Sequence, residues 1–226
     1  IANLNNLYVI EDTAQALGSS YIFRDGSTQK AGTIGTIGIT SFFPSKNLGC
    51  YGDGGALFTN NSLLAEKIKM ICNHGSKQKY HHEVIGVNSR LDSIQAAILS
   101  VKLKNLDVYS SLRYDSARIY TKLLQELDWI EVPNEESYSK HVYHQYTIKV
   151  LNGKRNELQE YLTSVKISSA IYYPKPLHQQ KALKNFKNGN FINADDLSTK
   201  VLSLPMHTEL GEDAITFITN SIKKFK

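Results

Sequence analysis

The chain has 226 residues, room for one large domain or two small ones, and at 41% hydrophobic and 21% charged it is built to bury a core rather than stay disordered. No run approaches the ~18–20 apolar residues of a membrane span, no basic-then-apolar leader opens the sequence, and two cysteines, Cys50 and Cys72, are too few for a disulfide framework, so a cytoplasmic protein is expected. The net charge of +5 comes from 26 basic and 21 acidic residues, scattered except for short clusters at 77–79 and 223–226, and reads as a solvated surface rather than a nucleic-acid face.

Residues 7–10 (Leu-Tyr-Val-Ile) form a short apolar run rich in β-formers and predict a buried strand. A strand with no helix before it also looks like a cut made inside a larger domain. Further strands are expected at 37–43 and 56–59, and their alternation with helices is the pattern of a parallel α/β sheet. A helix capped by Ser62 is predicted to about residue 73, with Leu64, Ile68, Ile71 and Cys72 at helical spacing and Gly75 as its stop. Asp92 starts the next, with Ile94, Ala97, Ile98, Val101 and Leu103 on its apolar side, and a third runs from 110 to 127. Beyond Trp129 the texture becomes α+β. A half-buried strand is expected at 143–151, a helix at 155–165 and a strand at 167–173. An amphipathic helix at 212–225 turns Ile215, Ile218 and Ile222 to one side. The predicted division is therefore 1–106, a large α/β domain present in part, and 107–226, a small α+β domain.

The most unusual stretch is 34–59, where only Lys46 and Asp53 carry charge. Lys46 follows an apolar strand and precedes Gly49, Gly52, Gly54 and Gly55. A lysine in such a setting is expected to be partly desolvated, which frees its amine as a nucleophile; the alternative is a lysine that snorkels to the surface. Asp12 sits at the carboxyl end of the first strand, the edge where open α/β sheets bind ligands, or else caps the helix that follows. Gly32-x-x-Gly35-x-x-Gly38 has period three and is not the dinucleotide fingerprint. No P-loop and no Gly-x-Ser-x-Gly elbow occurs. The spacing of Cys72, His74, His81 and His82 matches no usual zinc pattern, so no metal is expected.

Three ordered motifs then carry a resemblance. Val9-Ile-Glu-Asp-Thr-Ala-Gln15, Ser41-Phe-Phe-Pro-Ser-Lys-Asn-Leu-Gly-Cys-Tyr-Gly-Asp-Gly-Gly55 and Gly86-Val-Asn-Ser-Arg-Leu-Asp-Ser-Ile-Gln-Ala-Ala97 resemble the DegT/DnrJ/StrS family of pyridoxal-phosphate (PLP) sugar aminotransferases, of the aspartate-aminotransferase-like fold (fold type I). The likeness extends through Tyr172-Tyr-Pro-Lys-Pro-Leu-His178 to Ser203-Leu-Pro-Met-His207. PLP needs a lysine to hold its aldehyde and an acid to keep its ring nitrogen protonated. The resemblance implies that Lys46 is that lysine and later a proton carrier, and that Asp12 pairs with the ring nitrogen. It implies Gln15 against the ring or its hydroxyl, Ser41 on the phosphate, and Asn88 reaching the phosphate of a partner subunit, hence a homodimer. Relatives with His in place of the lysine are dehydratases, and Lys46 favours transamination.

The resemblance is strongest to enzymes that aminate C3 of a UDP-linked 3-keto-N-acetylhexuronic acid with glutamate as donor, in O-antigen and other surface-polysaccharide synthesis. In that setting Arg90 suits a carboxylate or diphosphate, or an ion pair with Asp92. Tyr173 and His178 line the substrate pocket, or form a turn around Pro174 and Pro176; His74 is a further substrate candidate. Family members exceed 300 residues, so this sequence is expected to lack an N-terminal part of the large domain. Residues 23–33 look longer than usual and predict an extended hairpin with a type I turn near Asp25 and Gly26. The competing readings are a non-catalytic nucleotide-sugar-binding or regulatory protein of the same fold and a PLP-dependent sugar dehydratase.

Overall fold

The computed structural model describes residues 1–186 and 189–225; the last residue of the basic cluster at 223–226 lies outside them. In chain order the strands and helices are β1 (Ile10–Asp12), β2 (Ser20–Ile22), β3 (Thr28–Lys30), β4 (Ile37–Ser41), β5 (Gly55–Phe58), α1 (Ser62–Cys72), β6 (Ser76–Gln78), β7 (His81–His82), α2 (Ser93–Leu103) and α3 (Leu106–Leu124). There follow β8 (Ile130–Glu131), β9 (Ser139–Lys140), β10 (Tyr146–Val150), α4 (Arg155–Ser164), α5 (Ile192–Lys200), β11 (Val201–Leu204) and α6 (Glu212–Lys224). The chain divides into two units, Ile1–Ser111 with Glu136–Val142, and Leu112–Glu135 with Tyr143–Lys226.

In the first unit β1, β4 and β5 make one sheet, in that order. β1 and β4 are parallel, so both end at the same edge. β5 returns antiparallel to β4, with Ser41 opposite Gly55, so the sheet is mixed rather than parallel. Residues 42–54, which join the two strands, contain no helix to carry the chain back across the sheet face. The strand expected at 7–10 is displaced to Ile10–Asp12 and is not buried, since Leu7, Tyr8 and Ile10 are 60%, 87% and 66% exposed. The hairpin β2–β3 turns as expected near Asp25 and Gly26. Gly26 N–H donates to the Phe23 carbonyl, and the Asp25 carboxylate accepts from Ser27 N–H and from its hydroxyl. β9 returns to add a third strand on β2.

The cap of α1 lies one residue earlier than expected. Asn61, rather than Ser62, accepts from Leu64 N–H at 3.0 Å. Gly75 N–H closes back on the Met70 carbonyl at 2.9 Å. α2 reverses the expected facing: Leu99 is its buried residue, while Ile94, Val101 and Leu103 are exposed. Leu99 joins Phe42, Leu48, Cys50 and Leu106 in the core of this unit.

The second unit is an antiparallel sheet, β11-β10-β8, and the alternation expected at 143–151 is seen as buried Tyr146, Ile148 and Val150. With α3, α4 and α6 they enclose a core holding Tyr120, Leu124, Leu158, Leu162, Leu202, Ile215, Ile218 and Ile222; each fully buried aliphatic side chain contributes roughly 1.5–3 kcal/mol. Arg113 Nη1 donates to the carbonyls of Tyr143, His144 and Met206, tying α3 to the approaches of β10 and β11, and burial pushes its pKa down. The strand expected at 167–173 is reduced to a single bridge. Ala170 and Ser203 exchange N–H···O bonds of 3.0 and 2.7 Å, and Pro174 and Pro176 that follow have no N–H to extend a ladder.

Candidate active site

Parallel pairing of β1 with β4 places Asp12 opposite Ile39, two residues before Ser41, so the acid and the hydroxyl share the carboxyl edge of the sheet. The ladder continues past β1: Thr13 N–H and Oγ1 both donate to the Ile39 carbonyl at 2.8 Å, and Thr40 Oγ1 donates back to the Thr13 carbonyl. Asp12 is exposed. Its Oδ1 accepts from Ala14 N–H at 2.9 Å, an Asx turn. No helix follows for it to cap: residues 14–18 are turns, and the chain re-enters a strand at Ser20. Gln15 lies exposed in those turns. Ser41 Oγ accepts from Phe43 N–H at 3.2 Å, which leaves its O–H to donate elsewhere.

Lys46 stands half-buried on the loop leaving that same edge, its N–H closing a turn onto the Phe43 carbonyl. Among the described residues its Nζ has no hydrogen bond or ion pair. The loop around it is fixed. Phe42 N–H donates to Gly54 O, Cys50 N–H to Phe42 O, and the Cys50 thiol lies 3.0 Å from Phe42 O. Gln95 of α2 accepts from Tyr51 N–H at 2.8 Å, and Lys102, two turns further on, donates to the Gly49 carbonyl at 2.6 Å with its ammonium 5.2 Å from the Tyr51 ring centre. A Cβ on Gly54 would meet Leu91 Cδ1 at 2.8 Å, so the segment between Arg90 and α2 also reaches this loop.

Asn88, Arg90 and His74 belong to a second loop cluster of the same unit. Arg90 Nε donates to Asn88 Oδ1 at 2.9 Å, so the pair is coupled, and both are exposed. Val87 and Ser89 N–H groups donate to Ile71 O and Cys72 O at the end of α1, while His74 N–H donates to Val87 O. His82 Nδ1 lies 2.8 Å from the His74 carbonyl and 2.9 Å from Ser76 Oγ. No three metal-binding side chains converge among the described residues.

Tyr173 and His178 lie in the second unit, on a cleft of about 780 Å³ whose walls include Pro174, Leu183, Phe191 and Leu197. His178 Nε2 is 2.9 Å from Asp195 Oδ1, and its ring stacks on Phe191 at 4.7 Å between centroids. Gln179 Nε2 donates to the same Asp195 oxygen at 2.6 Å. Sequence reasoning missed Asp195, Gln95 and Lys102. The last two were legible as polar residues seven apart, one face of an otherwise apolar helix.

The donor set suits PLP. A lysine amine without a partner, a carboxylate with an accepting oxygen to spare and a hydroxyl with a free proton sit on one sheet edge and the loop leaving it. Comparison with known proteins agrees. The sequence model of the DegT/DnrJ/EryC1/StrS aminotransferase family matches residues 1–223. The chain is 45% identical to a "pleiotropic regulatory protein" of Geobacillus stearothermophilus, covering all of this chain and 60% of that one. It is 42% identical to a UDP-N-acetyl-3-dehydro-alpha-D-glucosamine 3-aminotransferase of Acidithiobacillus ferrooxidans, over 99% of this chain and 58% of the relative. Against a UDP-2-acetamido-2-deoxy-3-oxo-D-glucuronate aminotransferase of Pseudomonas aeruginosa the identity is 41%, over 96% and 58%. The chain thus spans about 60% of the length of these curated relatives. Among solved structures, a family aminotransferase of Brucella abortus superposes with a TM-score of 0.90 at 38% identity, covering 98% of this chain and 58% of that one. NtdA of Bacillus subtilis, solved with bound cofactor PMP, superposes at 0.83 with 28% identity, covering 99% and 52%.

Proposed function

Because this chain belongs to the DegT/DnrJ/EryC1/StrS aminotransferase family, whose aminotransferases depend on PLP, we propose that the whole protein is a PLP-dependent aminotransferase of a nucleotide-linked keto-sugar. The observation that carries this reading is the unpartnered amine of Lys46, on a pinned loop leaving the sheet edge that holds Asp12 and Ser41.

In this reading Lys46 Nζ would hold the cofactor and, once released, would carry protons between the reacting carbon of donor or sugar and the cofactor's C4′. The Asp12 carboxylate accepts from the ring N–H and keeps the ring cationic. Ser41 O–H donates to the phosphate, Asn88 to the phosphate of the partner subunit, and Gln15 orients the ring. Bound PLP supplies an aldehyde that carries the amino group and a ring that stabilises the electron pair left on the reacting carbon. Arg90, coupled to Asn88, binds the diphosphate or a sugar carboxylate. Tyr173 and His178 contact the sugar, and His74 the rim of its site.

The substrate is a UDP-linked 3-keto sugar with an N-acetyl group, aminated at C3, with glutamate as donor, as part of surface-polysaccharide or O-antigen synthesis. The two relatives named for such amination support the nucleotide and the carbon; one takes a hexosamine and the other a hexuronate. Arg90 favours the hexuronate, because its planar fork suits a carboxylate. The homodimer rests on the reading of Asn88 as reaching the phosphate of a partner subunit. Two free thiols, one of them buried, suit the cytoplasm.

The relative named as a regulatory protein favours a second reading, nucleotide-sugar binding without turnover. The full-length protein, incubated with PLP, glutamate and the UDP-3-keto sugars, decides between the two. Amino-sugar formation that disappears in Lys46→Ala supports the enzyme. Sugar binding without product, with or without PLP, supports the second reading.

A further inference from the structure

The period-three glycines at 32, 35 and 38 play no part in the chemistry above, and neither does Glu11. The structure brings them together. Glu11 Oε2 accepts from Gly32 N–H at 2.7 Å; Oε1 accepts from Ile34 N–H at 2.7 Å and from Gly35 N–H. Three backbone amides thus converge on one carboxylate, a cradle of the kind that binds anions elsewhere. The glycines permit it. Gly32 has φ +90°, a Cβ on Gly35 would lie 2.9 Å from both Val9 Cγ1 and the Val9 carbonyl oxygen, and a Cβ on Gly38 would run into the Gly32 carbonyl.

We propose that Glu11 is the positioning residue for Asp12. β1 is three residues long, and its ladder to β4 has only three residue pairs. Consecutive side chains on a strand leave opposite faces, so the cradle grips Glu11 on the face away from Asp12. It ties β1 to the segment that enters β4, next to the bonds from Thr36 and Ile37 N–H to the Val9 carbonyl. Charge-assisted bonds to three amides resist rotation of the strand about its own axis, the motion that would swing the Asp12 carboxylate away from a ring nitrogen. The proposal rests on the reading of Asp12 as the acid that faces the cofactor ring.

The test uses full-length protein carrying Glu11→Ala, Glu11→Gln or Asp12→Asn beside the wild type. Three quantities are read: hydrogen exchange at the amides of Gly32, Ile34 and Gly35, the visible band of bound PLP scanned against pH, and kcat/KM. Glu11→Ala is expected to speed exchange at all three amides and to shift the pH response of the band in the direction that Asp12→Asn shifts it. It should lower kcat/KM by about 10²-fold, the effect of a displacement near 1 Å. Added sodium formate, filling the vacated cradle, is expected to restore all three. Glu11→Gln, whose NH2 faces the Gly32 N–H, should fall between. If exchange quickens while the band and kcat/KM stay at wild-type values, Glu11 only tethers a loop and the proposal is overturned. If Asp12→Asn also leaves the band unmoved, the cofactor reading of Asp12 has failed and the proposal falls with it; the Asp12 variant tells the two failures apart. Should Glu11→Ala not fold, Glu11→Gln decides by the same criterion.

Discussion

Asp12 and Glu11 are adjacent carboxylates with different surroundings. Glu11 accepts from three amides with both oxygens, while among the described residues Asp12 accepts at Oδ1 only; the residue with an oxygen to spare is the one suited to a ligand. Two buried tyrosines show the converse. Tyr120 O–H donates to the Pro205 carbonyl at 3.0 Å and Tyr146 shares a 2.8 Å bond with Thr121, with the rings stacked at 4.9 Å. Burial pushes both hydroxyls above the ordinary tyrosine value of about 10. A raised folded pKa means that this stability is complete below about pH 10 and is lost as the pH climbs through the folded values. Tyr120→Phe and Tyr146→Phe are therefore expected to cost about 1 kcal/mol each at neutral pH. In alkaline denaturation followed by circular dichroism that deficit should shrink above pH 10. A deficit that stays constant to high pH would contradict the assignment.

Helix α2 is the element on which the candidate site depends. Its inward stripe, Gln95, Leu99 and Lys102, holds the Lys46 loop through Tyr51 N–H and the Gly49 carbonyl. Gln95→Leu and Lys102→Met should each loosen residues 49–52. Hydrogen exchange at the Tyr51 amide should quicken in Gln95→Leu by about fivefold, the equivalent of one bond near 1 kcal/mol, while helix amides elsewhere stay protected. This helix also shows what sequence could not tell. Its periodicity was plain, but the apolar side named from it, with Ile94 and Val101, faces outward, because two polar residues with backbone partners took the inner face. Elements with strict periodicity, such as β10 and α6, were legible. The dearth of charge singles out the Lys46 loop and the place after a strand singles out Asp12, and the structure puts them on one sheet edge and the loop leaving it. The strand expected at 167–173 was not legible, because a run of β-formers says nothing about whether a neighbour offers a ladder. Packing of α6 tests the legible part: Ile222→Ala empties a fully buried site and should cost roughly 2–5 kcal/mol in a denaturant melt.

The molecule has two units with separate cores, one carrying the proposed cofactor residues and the other the cleft with Tyr173 and His178. The exposed stripe of α2 belongs to the first. If it is the dimer face, Val101→Glu in the full-length protein should convert dimer to monomer in sedimentation experiments, with the circular dichroism spectrum retained. A dimer that persists would move the interface elsewhere. Whether Lys46 holds PLP is read from the visible absorption spectrum of the full-length protein with added PLP, compared with Lys46→Ala. The expected result is a visible band that survives desalting in the wild type, vanishes on borohydride reduction with the pyridoxyl group left on Lys46, and is missing from the variant. A band of equal strength in Lys46→Ala, or none in the folded wild type at saturating PLP, would contradict it.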